Sequence, residues 1–196
     1  MGKVIVQASM SLDGFIADTN DRVGPLFDWY DNGNVEFVAT NPNLVFHISA
    51  SSADYLRNAW SNIAVDVIGR RLFDLTNGWS GVPAVGDAVF VVTHQPPTDW
   101  PYPNAPFTFV PDGVPAAVAQ AQTLAGDRDV SINAGNLAGQ AFEAGLIDEV
   151  RIDLVPVVLG GGIRFFGDYD QSALLLDDPE IVPGDRVTHL HYRVRK

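Results

Sequence analysis

The stretch at residues 131–145, SINAGNLAGQAFEAG, decides the fold. Its first residues complete a β-type run over 129–132, which stops abruptly at Asn133-Ala134-Gly135-Asn136. A helical pattern starts at once, over 136–144, and Gly145 stops it. A turn this small and this polar can only connect, or it can hold bare backbone N–H groups beside an anion. Small residues at a helix start suit either use: they admit a pyrophosphate to the free amides, or they let the helix pack closely on the sheet.

Working outward, the same alternation of strand and helix runs from about residue 50 to 155. The spacing predicts strands over 3–9, 64–68, 88–93, 107–110 and 129–132, and helices from Ser51 or Ser52 to about Asn62, over 69–75 and over 114–125. A long strand over 149–159 is interrupted by Pro156, and 174–182 with 187–194 reads as a final antiparallel pair. Residues 18–45, rich in Asp, Asn and Gly, read as mostly irregular. Alternation of this kind implies crossovers, so the expected class is α/β: a mixed, mostly parallel sheet with helices on both faces and an antiparallel C-terminal strand pair. The proline-rich stretch at 95–115 resembles a linker. The run Phe107-Thr108-Phe109-Val110 inside it argues for a loop–strand–loop within one domain covering 1–196.

Bulk properties narrow the functional classes. With 196 residues, 46% hydrophobic and 18% charged, the chain can build a real core and is not of disordered composition. No apolar run is long enough to span a bilayer, and no secretory pattern follows Met1, so a cytoplasmic location is expected. The absence of cysteine excludes disulfides, zinc-thiolate sites and cysteine nucleophiles. A formal charge of −12 disfavours a nucleic-acid partner. His189 and His191 share one face of a predicted strand without an identifiable third ligand, and no metal site is expected.

Ligands of open α/β sheets sit outside the carboxyl ends of the strands. Three strand ends carry suggestive residues. Gly69 is followed by Arg70 and Arg71, a forked pair for an anion or two surface arginines bonding nearby carboxylates. Thr93-His94 ends another strand, and Ala134-Gly135-Asn136 is the opening turn. Gly160-Gly161-Gly162 marks a tight turn or a wall that a flat ligand approaches. Asp13, in Ser11-Leu12-Asp13-Gly14, is either a proton donor or the acceptor of an Asx turn. Asp28 and Asp54 are further acids with a structural reading.

Five segments occur in an order that resembles the dihydrofolate reductase-like superfamily: SMSLDGFIA (9–17), VIGRRLFD (67–74), FVVTH (90–94), INAGNLAGQAFEAGLIDEVRID (132–153) and PVVLGGGIRFFG (156–167). The likeness is greater to the C-terminal reductase domain of the bifunctional deaminase-reductase of riboflavin biosynthesis and to its stand-alone relatives. That resemblance implies an NADPH-binding fold. Carried over, Gly69, Arg70, Arg71 and Leu72, with Thr93 and His94, would face the adenosine phosphate. Ala134, Gly135, Asn136, Leu137 and Ala138 would line the pyrophosphate. Ala8, Ile16 and Ala17 would border the nicotinamide, and Asp13 with Gly160, Gly161 and Gly162 the substrate side. Relatives often carry threonine at the place of Leu72 and glycine at that of Ala134. No deaminase domain accompanies these motifs.

The expected activity is NADPH-dependent hydride transfer to a C=N or C=O bond of a small heterocyclic substrate, with Asp13 supplying the proton and a homodimer as the assembly. The alternative is a non-catalytic NADP(H)-binding protein. The two differ in whether an acid reaches the substrate side of the cleft.

Overall fold

The computed structural model of the protein describes residues 1–195. In chain order it contains β1 (Val4–Ser11), β2 (Phe15–Ala17), a 3-10 helix (Gly24–Asp31), β3 (Val35–Val38), β4 (Val45–Ile48), α1 (Ala50–Ser61), β5 (Ile63–Gly69) and α2 (Arg70–Thr76). There follow β6 (Ala88–Val92), β7 (Phe107–Val110), α3 (Gly113–Ala125), β8 (Asp129–Asn133), α4 (Asn136–Glu143), β9 (Glu149–Val155), β10 (Ile163–Arg164), β11 (Glu180–Pro183) and β12 (Thr188–Arg193).

Eight strands form one sheet in the order β11-β12-β9-β1-β8-β5-β6-β7. Every neighbouring pair from β9 to β7 is parallel, while β12 runs antiparallel to β9 and β11 antiparallel to β12. The expected mixed, mostly parallel sheet with an antiparallel C-terminal pair is therefore what forms. Small pairs β2/β10 and β3/β4 stand outside it.

Period-two alternation gives the central strands two different faces. Val4 and Val6, Val65 and Val67, Phe90, and Val130 and Ile132 point to one side. There α3 (Val114, Ala117, Val118, Ala121) and α4 (Ala138, Ala141, Phe142) cover them in the main core. On the other side, Ile68, Val89 and Val91 pack with Phe73 of α2, and Leu26, Trp29, Phe37, Ile48, Ala53 and Leu56 form a separate cluster below α1.

Four expectations change in detail. The first strand of the C-terminal pair, expected over 174–182, is confined to Glu180–Pro183. Residues 18–45 hold a 3-10 helix, β3 and the start of β4, because Leu26, Trp29 and Phe37 bury themselves among the acidic turn residues. The strand expected over 149–159 ends at Val155, just before Pro156, which has no N–H for a ladder. Helix α1 is capped two or three residues earlier than expected: Ser49 Oγ accepts from the Ser52 backbone N–H at 3.3 Å, and Ser51 and Ser52 lie in the first turn.

Glu149 joins β9 to its neighbours. It is 1% exposed, with Lys3 Nζ bonded to Oε1, Arg151 Nη2 at 3.1 Å and His191 Nε2 at 2.8 Å. Burial alone would raise its pKa, yet the close His191 imidazole, the bond from Lys3 and the nearby Arg151 charge hold the carboxyl down to about 2. A depressed carboxyl stabilises the fold above its unfolded pKa and stops doing so as pH falls through the folded one. Glu149→Gln should therefore lose on the order of 2–3 kcal/mol at pH 7. The deficit should shrink between about pH 4.5 and 2, read by denaturant titrations across that range. A pH-independent deficit would show that packing, not charge, is what the glutamate contributes.

Candidate functional site

One large cleft opens at the carboxyl ends of the parallel strands, with a volume of about 1220 Å³. It exceeds the roughly 300–1,000 Å³ usual for one small ligand. Ala8, Ile16 and Ala17 line it from β1 and β2, and Gly69, Arg70, Arg71 and Leu72 from the β5–α2 corner. Thr93 and His94 line it after β6, and Ala134, Gly135, Asn136 and Leu137 after β8. Parallel strands end at one edge, so the corners that follow them converge.

The β8–α4 corner packs closely and also leaves its first amides open. Gly135 has φ +99°, a conformation that penalises side chains, and no side chain caps α4. The first amides of α4 thus face the cleft without an intrahelical acceptor. Gly139, one turn on, is a packing glycine: a Cβ there would meet the Phe166 carbonyl oxygen at 2.8 Å. Gly69 is similarly close to Leu137, whose Cδ1 would lie 2.7 Å from an added Cβ. Ala138 does not reach the cleft, because its methyl is fully buried in the main core.

Both arginines line the cleft, and both are paired. Arg70 Nε holds the two oxygens of Asp74 at 2.8 and 2.9 Å, and its Nη1 donates to the Gln95 carbonyl. Arg71 Nη2 donates to Asp21 Oδ2, a residue of the loop after β2. Thr93 Oγ1 bonds within its own turn, donating to the Gln95 carbonyl at 3.1 Å.

Asp13 is a correction. Its side chain does not line the cleft. Its carboxylate accepts from Ser11 Oγ at 2.6 Å and from the backbone N–H groups of Leu159 and Gly160 at 3.1 and 2.7 Å. The Ser11 bond, helped by the two amides, lowers its pKa against the raising effect of desolvation. A carboxylate held ionised by three donors is an acceptor that clasps a loop, not a proton source. Gly160 and Gly161 likewise lie outside the cleft, since Asp13 draws their turn aside. Gly162 alone of the three lines it, and it is glycine because a Cβ would lie 1.9 Å from the Ala17 carbonyl oxygen. Asp28 and Asp54 do not line the cleft, and Asp54 pairs with Arg57 at 2.9 Å.

The groups missed by the sequence reading form the floor. Gln7, Ser9, Asp66, Asn133 and Asp153 line the cleft from the sheet face opposite α3 and α4. Their signal was a polar residue at every second place in otherwise aliphatic strands: Gln7, Ser9 and Ser11 in VIVQASMS, and Asp66 in IAVDVIG. Phe27, Tyr30, Phe46 and Trp60 supply the walls, with Tyr30 stacked on Phe46 at 4.3 Å between centroids. Trp79 closes one side from a left-handed turn in which Asn77, Gly78, Trp79 and Ser80 have φ between +46° and +57°. Asn41 holds that turn by donating to the Trp79 and Val82 carbonyls.

Two acids stand in the floor. Asp66 is 5% exposed, accepts from Ser131 Oγ, and accepts from Asn133 Nδ2 at 3.1 Å. Burial pushes its carboxyl up to about 6 against the lowering effect of those two bonds. Asp153 Oδ1 lies 2.6 Å from His189 Nδ1, and His189 Nε2 lies 2.9 Å from Ser52 Oγ. That imidazole is fully buried, stacked on Tyr55 at 4.2 Å. Burial and the Asp153 charge both raise the Tyr30 pKa, so its phenol stays an O–H donor.

Residues 113–190 match the family model of the RibD C-terminal domain. The fold is dihydrofolate reductase-like. A protein of Shewanella sp. PV-4 assigned by name to riboflavin biosynthesis superposes with a TM-score of 0.69 at 23% identity, covering 99% of each chain. The diaminohydroxyphosphoribosylaminopyrimidine deaminase/5-amino-6-(5-phosphoribosylamino)uracil reductase of Thermotoga maritima gives 0.63 at 13% identity, over 99% of this chain and 57% of that one. Dihydrofolate reductase of Enterococcus faecalis, complexed with NADP(H) and RAB-propyl, gives 0.60 at 16% identity, over 100% and 98% of the two chains. No curated protein matches the chain. The dihydrofolate reductase-like fold places the β8–α4 corner inside the matched segment, while the β5–α2 corner precedes it.

The buried acid of the floor carries a stability cost with a definite pH window. An acid whose folded pKa is raised binds more protons when folded, so stability falls as pH rises through the interval between its unfolded and folded values. For Asp66 that interval runs from 3.8 to about 6. Thermal melts should show wild type losing on the order of 2–3 kcal/mol across it, relative to Asp66→Asn. Parallel profiles for the two proteins would show that the acid is already ionised at pH 4.

Proposed function

We propose that the protein is an NADPH-dependent reductase that transfers a hydride to a C=N or C=O bond of a flat, heterocyclic small molecule. The single observation that carries this reading is the convergence of four strand-end corners on one cleft. That cleft is lined by an uncapped helix N-terminus, by aromatic walls and by a floor holding two acids. Its volume suits a dinucleotide beside a second, smaller ring. Support also comes from the RibD C-terminal domain match and from structural neighbours named as reductases, one of them complexed with NADP(H).

The residues fit such a cofactor. Gly135 leaves the approach to the α4 amides open, with Ile16 and Ile163 as the nearest side chains to a would-be Cβ, at 3.6 and 3.7 Å. The amides of Asn136 and Leu137 would hold the pyrophosphate. Ala8, Ile16 and Ala17 would border the nicotinamide. NADPH, when bound, supplies the hydride.

This chain's own groups then position the acceptor and provide the proton. Tyr30, Phe46 and Trp60 hold a flat ring by its faces, while Ser9 and Asp153 reach its edge. As the acceptor carbon gains the hydride, its nitrogen or oxygen must gain a proton. Asp153, in place of Asp13, relays that proton, taking one up from water and handing it to the acceptor atom, and its contact with the buried His189 fixes the carboxyl's orientation. An acid at the substrate end favours turnover over binding alone.

Nicotinamide fluorescence should report saturable NADPH binding, and loss of absorbance at the reduced nicotinamide band should report turnover with a heterocyclic imine or carbonyl. Asp153→Asn should leave NADPH binding unchanged and lower kcat by about 10²–10⁴. No saturable binding of NADPH or NADH would overturn the reading. An unchanged kcat would remove Asp153 from it.

A further inference from the structure

Asp21 is an unusual residue in an unusual place. The turn over 18–22 is closed by its own bonds: Asp18 Oδ1 accepts from the Asn20 and Arg22 amides at 2.7 and 2.9 Å, and the Asp18 amide donates to the Arg22 carbonyl at 2.9 Å. This collar holds Asp21 at φ +63°, a left-handed conformation uncommon for a non-glycine residue. The conformation aims the carboxylate into the cleft, where Oδ2 accepts from Arg71 and Oδ1 is buried without a hydrogen-bond partner. The side chain is 16% exposed, against 68% for Arg71.

The two arginines are therefore not equivalent. Arg70 is engaged through two nitrogens, Nε and Nη1, by its own helix and the loop after β6. Arg71 projects from the helix rim and meets a carboxylate fifty positions earlier in the chain, across the mouth of the cleft. A phosphate seeking a guanidinium at this corner finds Arg71 already holding an internal anion. That phosphate must exchange with Asp21 and then tolerate its charge nearby. An uncharged hydroxyl at the same place pays neither penalty.

Resting on the reductase reading, we propose that Asp21 is a specificity-determining residue: it competes for Arg71 with the extra phosphate that distinguishes NADPH from NADH, and so narrows the preference between the two. Asp21→Asn removes the charge and keeps a residue that tolerates the left-handed conformation, so the turn survives. NADPH and NADH are titrated separately, by nicotinamide fluorescence, into wild type, Asp21→Asn, Arg71→Ala and the double variant.

Asp21→Asn should tighten NADPH roughly five- to tenfold and leave NADH within twofold. The gain should diminish as salt is raised and vanish in the double variant. If both dinucleotides bind but the variant tightens neither, or both equally, Asp21 does not set the preference, and the reductase reading stands without it. If neither dinucleotide binds wild type or variant, both proposals fall together.

Discussion

Six neighbouring strands run the same way, and most of the functional geometry follows from that. A parallel sheet must carry its connections over the faces and return each strand to one edge. The turns after β1, β5, β6 and β8 therefore meet, although the first and last are separated by more than half the chain. The helices that make the crossovers cover α3 and α4's side of the sheet completely. The opposite side is covered only in part, by α1, α2, the 3-10 helix and the β3/β4 hairpin, and the cleft is what they leave open.

That division explains the polar floor. On the covered face the central strands present Val, Ile and Phe, and on the open face the same strands present Gln7, Ser9, Asp66, Ser131 and Asn133. Burying such groups costs free energy unless they are bonded to one another. Four of these five have such bonds: Ser131 and Asn133 to Asp66, and Trp29 Nε1 to Ser9 at 3.1 Å; Asp153 beside them meets His189. The bonds fix side chains that would otherwise be free to rotate, so the floor is rigid before any ligand meets it. A residual cost remains at Asp66, whose carboxyl is displaced to about 6 by burial. Cost concentrated at a cleft, rather than spread through the core, is the pattern expected where chemistry and stability compete.

The sequence made the sheet legible because its signals are local. Each crossover announces itself by a switch from period two to a helical period, with a glycine or small residue at the junction, as at Gly69 and Gly135. The boundaries that failed are those set at a distance. Pro156 ends β9 outright, and Leu26, Trp29 and Phe37 find partners in α1 and β4 that their own neighbours do not indicate. At the site, the corner glycines were readable, whereas the roles of Asp13, Gly160 and Gly161 were not. Asp13 looks like an acid beside a cleft, but its three donors come from Ser11 and from a loop some 146 positions later. The floor was visible only as misplaced polarity within strands. Asp153 gained its meaning from His189, which lies opposite it on β12 and pairs with it in register.

Electrostatics sets the character of the cleft. A protein of net charge −12 repels a polyanionic dinucleotide at long range, so steering works against association. The basic residues at the corner do not reverse this, because Arg70 and Arg71 are each matched by a carboxylate. On the proposed reading, attraction would come from groups that act only at contact: the uncapped amides of α4, which carry partial charge without a counterion, and the apolar surfaces of Ile16, Leu72 and Leu137. Contact-range forces reward shape more than charge. A cleft that relies on them would hold a ligand by how closely the backbone can be approached, and at Gly135, with φ +99°, no Cβ stands in the way.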